Sequence, residues 1–208
     1  METTVLSAGE ETSIQRALDT LKAGDVVAFP TDTIYGVGVD PFNISAIIKL
    51  FEAKGRDYNK AIAILIGDIK QVEMVAEKIT ESARKLIENY WPGGLTVIVP
   101  KLKTIPDLLS ANQSIGLRMP DHPVCLRLLN EFGPLATSSA NISGKQNPLS
   151  SREVIGQLTG RIPLILDGGD CPGGIPSTVV DCMNDDSRIL RQGTITVQQI
   201  EAVLHPES

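Results

Sequence analysis

Residues 13–30 read SIQRALDTLKAGDVVAFP, and this stretch contains the alternation that predicts the fold. Over 14–23, apolar side chains recur at the helical spacing, with Ser13 as the expected N-cap and Gly24 as the stop. Residues 26–29 are four consecutive apolar residues that precede a proline, which is typical of a short buried strand. A helix that leads directly into a buried strand is the unit from which α/β domains are built.

The same alternation continues toward the C-terminus. The later segments are rich in strands, which favours a twisted mixed sheet with flanking helices over a purely parallel sheet. We expect one domain over 1–208, with a core of about 10–193 and a C-terminal helix of about 196–204 that Thr196 caps. Further helices are predicted near 45–53, 72–75, 83–87, 153–158 and after 122, and strands near 61–66, 95–99, 115–118, 135–137, 163–166, 178–181 and 189–190.

The composition excludes several classes of protein. Lys and Arg total 19 against 25 Asp and Glu, so the net charge of −6 argues against coating nucleic acid or membranes by bulk charge. No apolar stretch approaches the ~20 residues of a membrane span, and the N-terminus lacks a signal segment, so we expect a cytoplasmic protein without membrane association. Three cysteines without a CxxC pair and two histidines predict no metal site. Phosphate-loop, dinucleotide-binding and nucleophile-elbow motifs are absent.

Polar clusters follow the predicted strands and helices, at the positions where α/β sheets usually bind ligands. The first is PTDTIYGVG, residues 30–38, in which Thr33 and Tyr35 lie beside glycines that let a ligand approach the backbone. The alternative interpretation is a tight turn in which Asp32 bonds its own backbone.

A second cluster contains three cations within seven residues, Lys54, Arg56 and Lys60. Gly55 is expected to end the preceding helix, so that Lys54 and Arg56 need not point apart. A guanidinium fork and an ammonium group together favour an anion-binding site. The alternative is a solvated helix C-terminus that the helix dipole stabilises.

Two further clusters are rich in hydroxyl and amide groups, which recognise polar ligands by hydrogen bonds without charge. They are residues 137–144, TSSANISG, and residues 175–181, IPSTVVD. Both also have the composition of ordinary loops. The candidate binding residues in these clusters and at neighbouring strand ends are Ser139, Asn141, Ser177, Arg118 and Arg191.

Taken together, the clusters resemble the YrdC/Sua5 family of threonylcarbamoyl-AMP synthases over about 23–193. The family signatures K-x-R and S-x-N stand at 54–56 and 139–141, and the resemblance is to the short, single-domain form. It implies a YrdC-like α/β fold with a concave basic ligand cleft. The segments that carry it are PTDTIYGVG, KGR with Lys60, GLRMPDH, SSANISG, PSTVVD and ILRQG.

The resemblance implies an enzyme that condenses L-threonine, bicarbonate and ATP to threonylcarbamoyl-AMP and pyrophosphate, for t6A at tRNA position 37. ATP is then a substrate, Mg²⁺ is held mainly through its phosphates, and partner proteins transfer the threonylcarbamoyl group. Direct contact with tRNA is left open. The implied catalytic residues are Lys54, Arg56, Ser139 and Asn141; the ATP and bicarbonate residues are Arg56, Lys60, Asn141 and Arg191; the threonine residues are Thr33, Tyr35, Arg118, Ser139 and Ser177.

Two positions depart from the family pattern, which usually has proline after the K-x-R arginine and proline or glycine after the next lysine. Here they are Asp57 and Ala61. We expect Asp57 to pair with Arg56 or Lys60 and to weaken anion binding. That expectation leaves one alternative, a diverged family member that mainly binds RNA or nucleotides. A separate alternative is a related carbamoyl-transfer module, as in hydrogenase-maturation proteins, but those proteins are much larger and carry zinc-finger-like cysteine clusters that this sequence lacks.

Overall fold

The structure, a computed structural model, describes residues 1–205. These residues form one ten-stranded mixed sheet in the order β1-β8-β2-β3-β7-β4-β6-β5-β9-β10. The strands are β1 Thr4–Ser7, β2 Val27–Phe29, β3 Gly36–Val39, β4 Ala63–Leu65, β5 Leu95–Pro100, β6 Ser114–Arg118, β7 Leu135–Ser139, β8 Leu164–Asp167, β9 Thr178–Asp181 and β10 Arg188–Arg191. The helices are α1 Glu11–Lys22, α2 Ile44–Lys54, α3 Glu81–Tyr90, α4 Pro123–Phe132, α5 Ser151–Leu158 and α6 Val197–Leu204, with a 3₁₀ helix at Ile69–Met74.

The mixed α/β fold predicted from the sequence is confirmed. Strand pairs β1/β8, β2/β8, β4/β6 and β5/β9 are parallel, and the other pairs are antiparallel. The predicted cap of the last helix is also confirmed, because Thr196 and Gln199 form a reciprocal capping box. The predicted N-cap of the first helix is wrong. Helix α1 begins at Glu11, and Ser13 is buried on its core-facing side.

Two strands were not predicted from the sequence. Strand β1 lies at one edge of the sheet and is mostly exposed, so it has no apolar run to reveal it. Strand β3 alternates glycine with valine inside the cluster that was interpreted as a loop. A Cβ on Gly38 would lie 3.0 Å from both Phe29 and Thr137, so this position is restricted to glycine by close packing.

The two faces of the sheet are covered differently. Helices α2, α3, α5 and α6 share one apolar core with Val37, Val97 and Leu117. Helices α1 and α4 pack on the opposite face, against Phe29 and Leu135. Beyond α4, this second face is lined by small and polar residues, which form the floor of a cavity. No helix in 1–205 is long and apolar enough to cross a membrane.

Candidate functional site

The cavity lies over the central strands of the second face and has a volume of about 360 Å³. Its floor follows from the period-2 alternation of strand side chains, because residues paired across neighbouring strands face the same side. Leu65 pairs with Arg118, and Gly36 pairs with Ser139. A Cβ on Gly116 would lie 3.2 Å from the Thr96 methyl group, so small residues keep this floor low.

The structure brings six of the ten predicted site residues together around this cavity. They are Thr33, Arg56, Arg118, Ser139, Ser177 and Arg191. The other four, Lys54, Lys60, Tyr35 and Asn141, do not line it.

Arg118, at the end of β6, is the most constrained of the cavity cations. Its Nε donates to the carbonyl of Gly93 at 3.0 Å, Nη1 donates to Thr33 Oγ1 at 2.9 Å, and Nη2 donates to Asp32 Oδ1 at 2.5 Å. The Arg118 and Asp32 side chains are only 9% and 15% exposed, so this ion pair is largely shielded from water. A guanidinium has five N–H donors, so two remain for a ligand.

The hydroxyl of Thr33 lies between Thr31 and Arg118. Thr31 Oγ1 donates its only proton to the carbonyl of Ile34 at 2.6 Å, and it accepts from the amides of Thr33 and Ile34 at 3.1 and 3.3 Å. The two threonine hydroxyls are 3.1 Å apart. Because Thr33 Oγ1 accepts from Arg118 through one lone pair, a second lone pair remains as an acceptor for an N–H or O–H of a ligand.

Ser177 and Arg191 form a further part of the cavity wall. Arg191 donates from Nε and Nη2 to the carbonyl of Ser177 at 3.2 and 2.9 Å. The hydroxyls of Ser177 and Thr96 are 2.8 Å apart, and either can be the donor, so one proton of this pair is free to point at a ligand. Partial burial lowers the pKa of Arg191, and the positive charge of Arg118 lowers it further.

Arg56 closes the cavity from the turn after α2. Its Nε and Nη2 donate to the carbonyls of Lys60 and Ala61 at 3.2 and 2.8 Å, and burial lowers its pKa. Three of its five N–H donors remain. Within 1–205, neither Arg56 nor Arg191 forms a salt bridge. Arg56 and Arg191 therefore bring positive charge to the cavity without a carboxylate partner in the described residues.

Lys54 lies behind the cavity and does not line it. Gly55 ends α2 in the left-handed conformation, as predicted. The Lys54 side chain is buried, and its Nζ donates to the carbonyls of Ser139 and, at 2.7 Å, Asn141. Burial lowers the pKa of Lys54 from 10.5 to about 7, with a smaller contribution from the charge of Arg56. Lys54 thus fixes the backbone of the S-x-N segment.

Asn141 is also buried beside this segment. Its amide nitrogen donates to the carbonyls of Ile142 and Lys145 at 2.9 and 2.8 Å. Its Oδ1 is buried without a partner in the described part of the chain. Asn141 therefore shapes the loop below the cavity wall.

Tyr35 was expected in the threonine pocket, and the structure places it elsewhere. The ring is fully buried, and its hydroxyl donates to the carbonyl of Gly169 at 2.8 Å and accepts from the Gly168 amide at 3.1 Å. Burial raises the pKa of Tyr35 to about 12. Tyr35 therefore ties the glycine-rich segment after β8 to the turn that carries Thr33.

The expected pairing of Asp57 is wrong. Its carboxylate accepts from the Asn59 amide at 2.9 Å, and it forms no salt bridge with Arg56, Lys60 or any other residue of 1–205. An aspartate two residues before a free amide closes a local turn, and this turn competes with the predicted ion pair. Lys60 is exposed, and only its carbonyl contacts Arg56.

Several polar residues of the site are not among the ten predicted site residues. Thr31, Asp32, Thr137 and Ser138 belong to the predicted polar clusters but were not assigned a role in binding, and Thr96 lies in an apolar strand. Asn147 lines the cavity from the loop before α5. For Thr96, its alternation with Ile98 on one face of β5 could have given a signal, had the sheet order been known.

The model of the Sua5/YciO/YrdC family, which carries the description "Telomere recombination", matches residues 19–193. The chain belongs to this family. The resemblance to YrdC/Sua5 proteins that the motifs indicated is therefore confirmed.

Both sequences and solved structures are similar to this Sua5/YciO/YrdC chain. It is 44% identical over 199 residues to the threonylcarbamoyl-AMP synthase of Bacillus subtilis, covering 93% of this chain and 57% of that protein. It is 38% identical over 192 residues to a putative threonylcarbamoyl-AMP synthase of Mycobacterium tuberculosis, covering 92% and 88%. The crystal structure of Pyrococcus abyssi Sua5 complexed with L-threonine superposes with a TM-score of 0.90 at 37% identity, covering 94% and 58%. The chain thus spans somewhat more than half the length of the Bacillus and Pyrococcus relatives.

Proposed function

We propose that this chain is a threonylcarbamoyl-AMP synthase, which condenses L-threonine, bicarbonate and ATP to threonylcarbamoyl-AMP and pyrophosphate. The observation that carries the proposal is the convergence of Arg56, Arg118 and Arg191 on one cavity with a small, polar floor. The reaction requires a carboxylate, a carbamate and a triphosphate to meet, and fixed cations are what stabilise such an encounter. The Bacillus and Pyrococcus relatives support the assignment.

The amino acid is proposed to bind at the Arg118 end of the cavity. Arg118 offers two free N–H donors for a carboxylate, and Thr33 offers an acceptor beside them. Ser139 and Ser177 complete this end with further hydroxyl groups. A carboxylate with a neighbouring N–H or O–H donor is the pattern that an α-amino acid presents.

The triphosphate and bicarbonate are proposed to bind against Arg56 and Arg191. These guanidiniums have free donors and no carboxylate partner within 1–205, so a phosphate oxygen would be their first opposite charge. No group of three or more His, Cys, Asp or Glu in the described residues could hold a metal ion. We therefore propose that Mg²⁺ is held by the phosphates and water, where it would neutralise phosphate charge.

The proposed role of Lys54 differs from direct contact with phosphate. Lys54 holds the carbonyls of Ser139 and Asn141, so it fixes the strand end that presents the Ser139 side chain to the cavity. Asn141 acts in the same way from within its loop. Catalysis in this proposal consists of positioning and charge stabilisation, without a covalent intermediate.

The alternative of a diverged RNA-binding or nucleotide-binding protein was supported in part by the expectation that Asp57 pairs with Arg56 or Lys60. That support is lost, because the Asp57 carboxylate accepts from the Asn59 amide instead. Transfer of the product to tRNA position 37 by partner proteins, and a cytoplasmic location, remain parts of the proposal.

The test is pyrophosphate release from ATP by the purified protein, with L-threonine and bicarbonate omitted in turn. We expect release that requires both. Release that needs neither, or ATP binding without release, would contradict the proposal. A steep salt dependence of RNA binding in that case would indicate the nucleic-acid alternative.

A further inference from the structure

The Arg118–Asp32 pair presents a problem that the proposed reaction does not by itself explain. The substrates are anionic, yet the structure holds a carboxylate against one of the three cavity guanidiniums. An opposite charge at this distance weakens the pull of Arg118 on an anion. Asp32 does not line the cavity, whereas Arg118 does.

Stability is a poor explanation for this ion pair. Removing two charges from water costs much of what their attraction returns, so apolar residues often serve equally well in such places. What the pair does supply is geometry. Asp32, Thr33 and the carbonyl of Gly93 each hold a different nitrogen of Arg118, which fixes both the plane and the rotation of the guanidinium.

Arg118 also constrains Thr33, because its Nη1 donates to the Thr33 hydroxyl. If Arg118 rotated, Thr33 would lose this donor. Asp32 is the charged partner of Arg118 and accepts one N–H of Nη2, so the second N–H of Nη1 and the second N–H of Nη2 remain for the cavity.

We infer that Asp32 is a positioning residue, which directs the two free N–H donors of Arg118 at the carboxylate of the amino-acid substrate. This inference rests on the proposed function for the identity of the ligand. It assigns Asp32 a much larger effect on amino-acid binding than on ATP binding, because Arg56 and Arg191 form their hydrogen bonds with other partners, Lys60, Ala61 and Ser177.

The test compares Asp32→Asn with Asp107→Asn in the full chain. Asp107 is a matched control, because it also pairs with a buried cation, Lys101 at 2.7 Å, outside the cavity. In Asp32→Asn we expect the KM for L-threonine to rise about tenfold or more, as small misplacements of a binding group produce. We expect its KM for ATP to change less than about threefold. Asp107→Asn should change neither value.

A second measurement keeps the inference separate from the proposed function. Hydrogen exchange of the Arg118 Nε–H, followed by NMR in the ligand-free protein, should be slow in wild type and Asp107→Asn and about tenfold faster in Asp32→Asn. If wild type shows no threonine-dependent reaction, the proposed function fails, and the exchange rate alone tests whether Asp32 positions Arg118. Should Asp32→Asn fold poorly, Asp32→Ser takes its place. Unchanged exchange, or KM values for L-threonine and ATP that rise together, would overturn the inference.

Discussion

The cavity holds its guanidinium groups in two different ways. Arg118 is almost buried and is surrounded by the carboxylate of Asp32, a threonine hydroxyl and a backbone carbonyl. Arg56 and Arg191 are more exposed and are held only by carbonyls and a serine hydroxyl. The orientation of Arg118 is fixed before any ligand binds, which suits recognition of a small molecule. Arg56 and Arg191 have no carboxylate partner within 1–205, which suits a highly charged ligand.

The largest effect on the rate of synthesis is expected from removing the positive charge of Arg56 or Lys54. Arg56→Ala should slow synthesis by about a hundredfold or more, because it removes an electrostatic group from the reacting centre. Lys54→Ala should cost as much, since it releases the carbonyls of Ser139 and Asn141. Steady-state pyrophosphate release measures both. Near-normal rates in either variant would remove its assigned role. Lys60→Ala, which alters an exposed side chain, should stay within about threefold.

The free energy of unfolding should depend on Arg118 more than on Arg56 or Arg191. Arg118→Gln leaves Asp32 without its charged partner in a largely buried place and should lower the free energy of unfolding by about 2 kcal/mol. Arg56→Gln and Arg191→Gln should stay within about 0.5 kcal/mol, as surface changes do. Urea denaturation of the three variants gives the comparison. Equal losses of unfolding free energy in the three variants would contradict the difference between the paired Arg118 and the unpaired Arg56 and Arg191.

The buried ammonium of Lys54 should make stability depend on pH. Its pKa is about 7 in the folded protein, so the unfolded chain binds more protons between about pH 7 and its usual 10.5. Stability from this residue therefore rises with pH in that window, by about 1.4 kcal/mol per pH unit at most. Unfolding curves at pH 7, 8 and 9 should show that the free energy of unfolding of wild type increases relative to that of Lys54→Met. The same pH dependence in both proteins would contradict the lowered pKa.

The smallest effect is expected at Asp57. Asp57→Pro should leave synthesis intact or raise it, within about threefold. The Asp57 amide donates no hydrogen bond in the described part of the chain, so proline removes only the carboxylate and a local turn. The same rate assay measures the outcome. A large loss would show that the turn at Asp57 positions Arg56.

The sequence predicted the fold wherever burial left a pattern. Apolar runs marked β2, β5 and β8, but β3 was hidden, because its glycines are required by the packing of Phe29 and Thr137 rather than by a turn. Six of the ten site residues that the motifs identified line the cavity. Lys54 turned inward because Gly55 ends its helix beside the carbonyls of the S-x-N segment, a contact between residues 85 positions apart. Local spacing carries no signal for such a contact, nor for the pairing of Asp32 with Arg118.

The most direct test of the contrast between Arg118 and the two unpaired arginines is equilibrium binding of single ligands by calorimetry. We expect the double variant Arg56→Gln/Arg191→Gln to lose ATP binding and keep L-threonine binding, and Arg118→Gln to lose L-threonine binding and keep ATP binding. Loss of both ligands in both variants, or loss of L-threonine in the double variant alone, would contradict it.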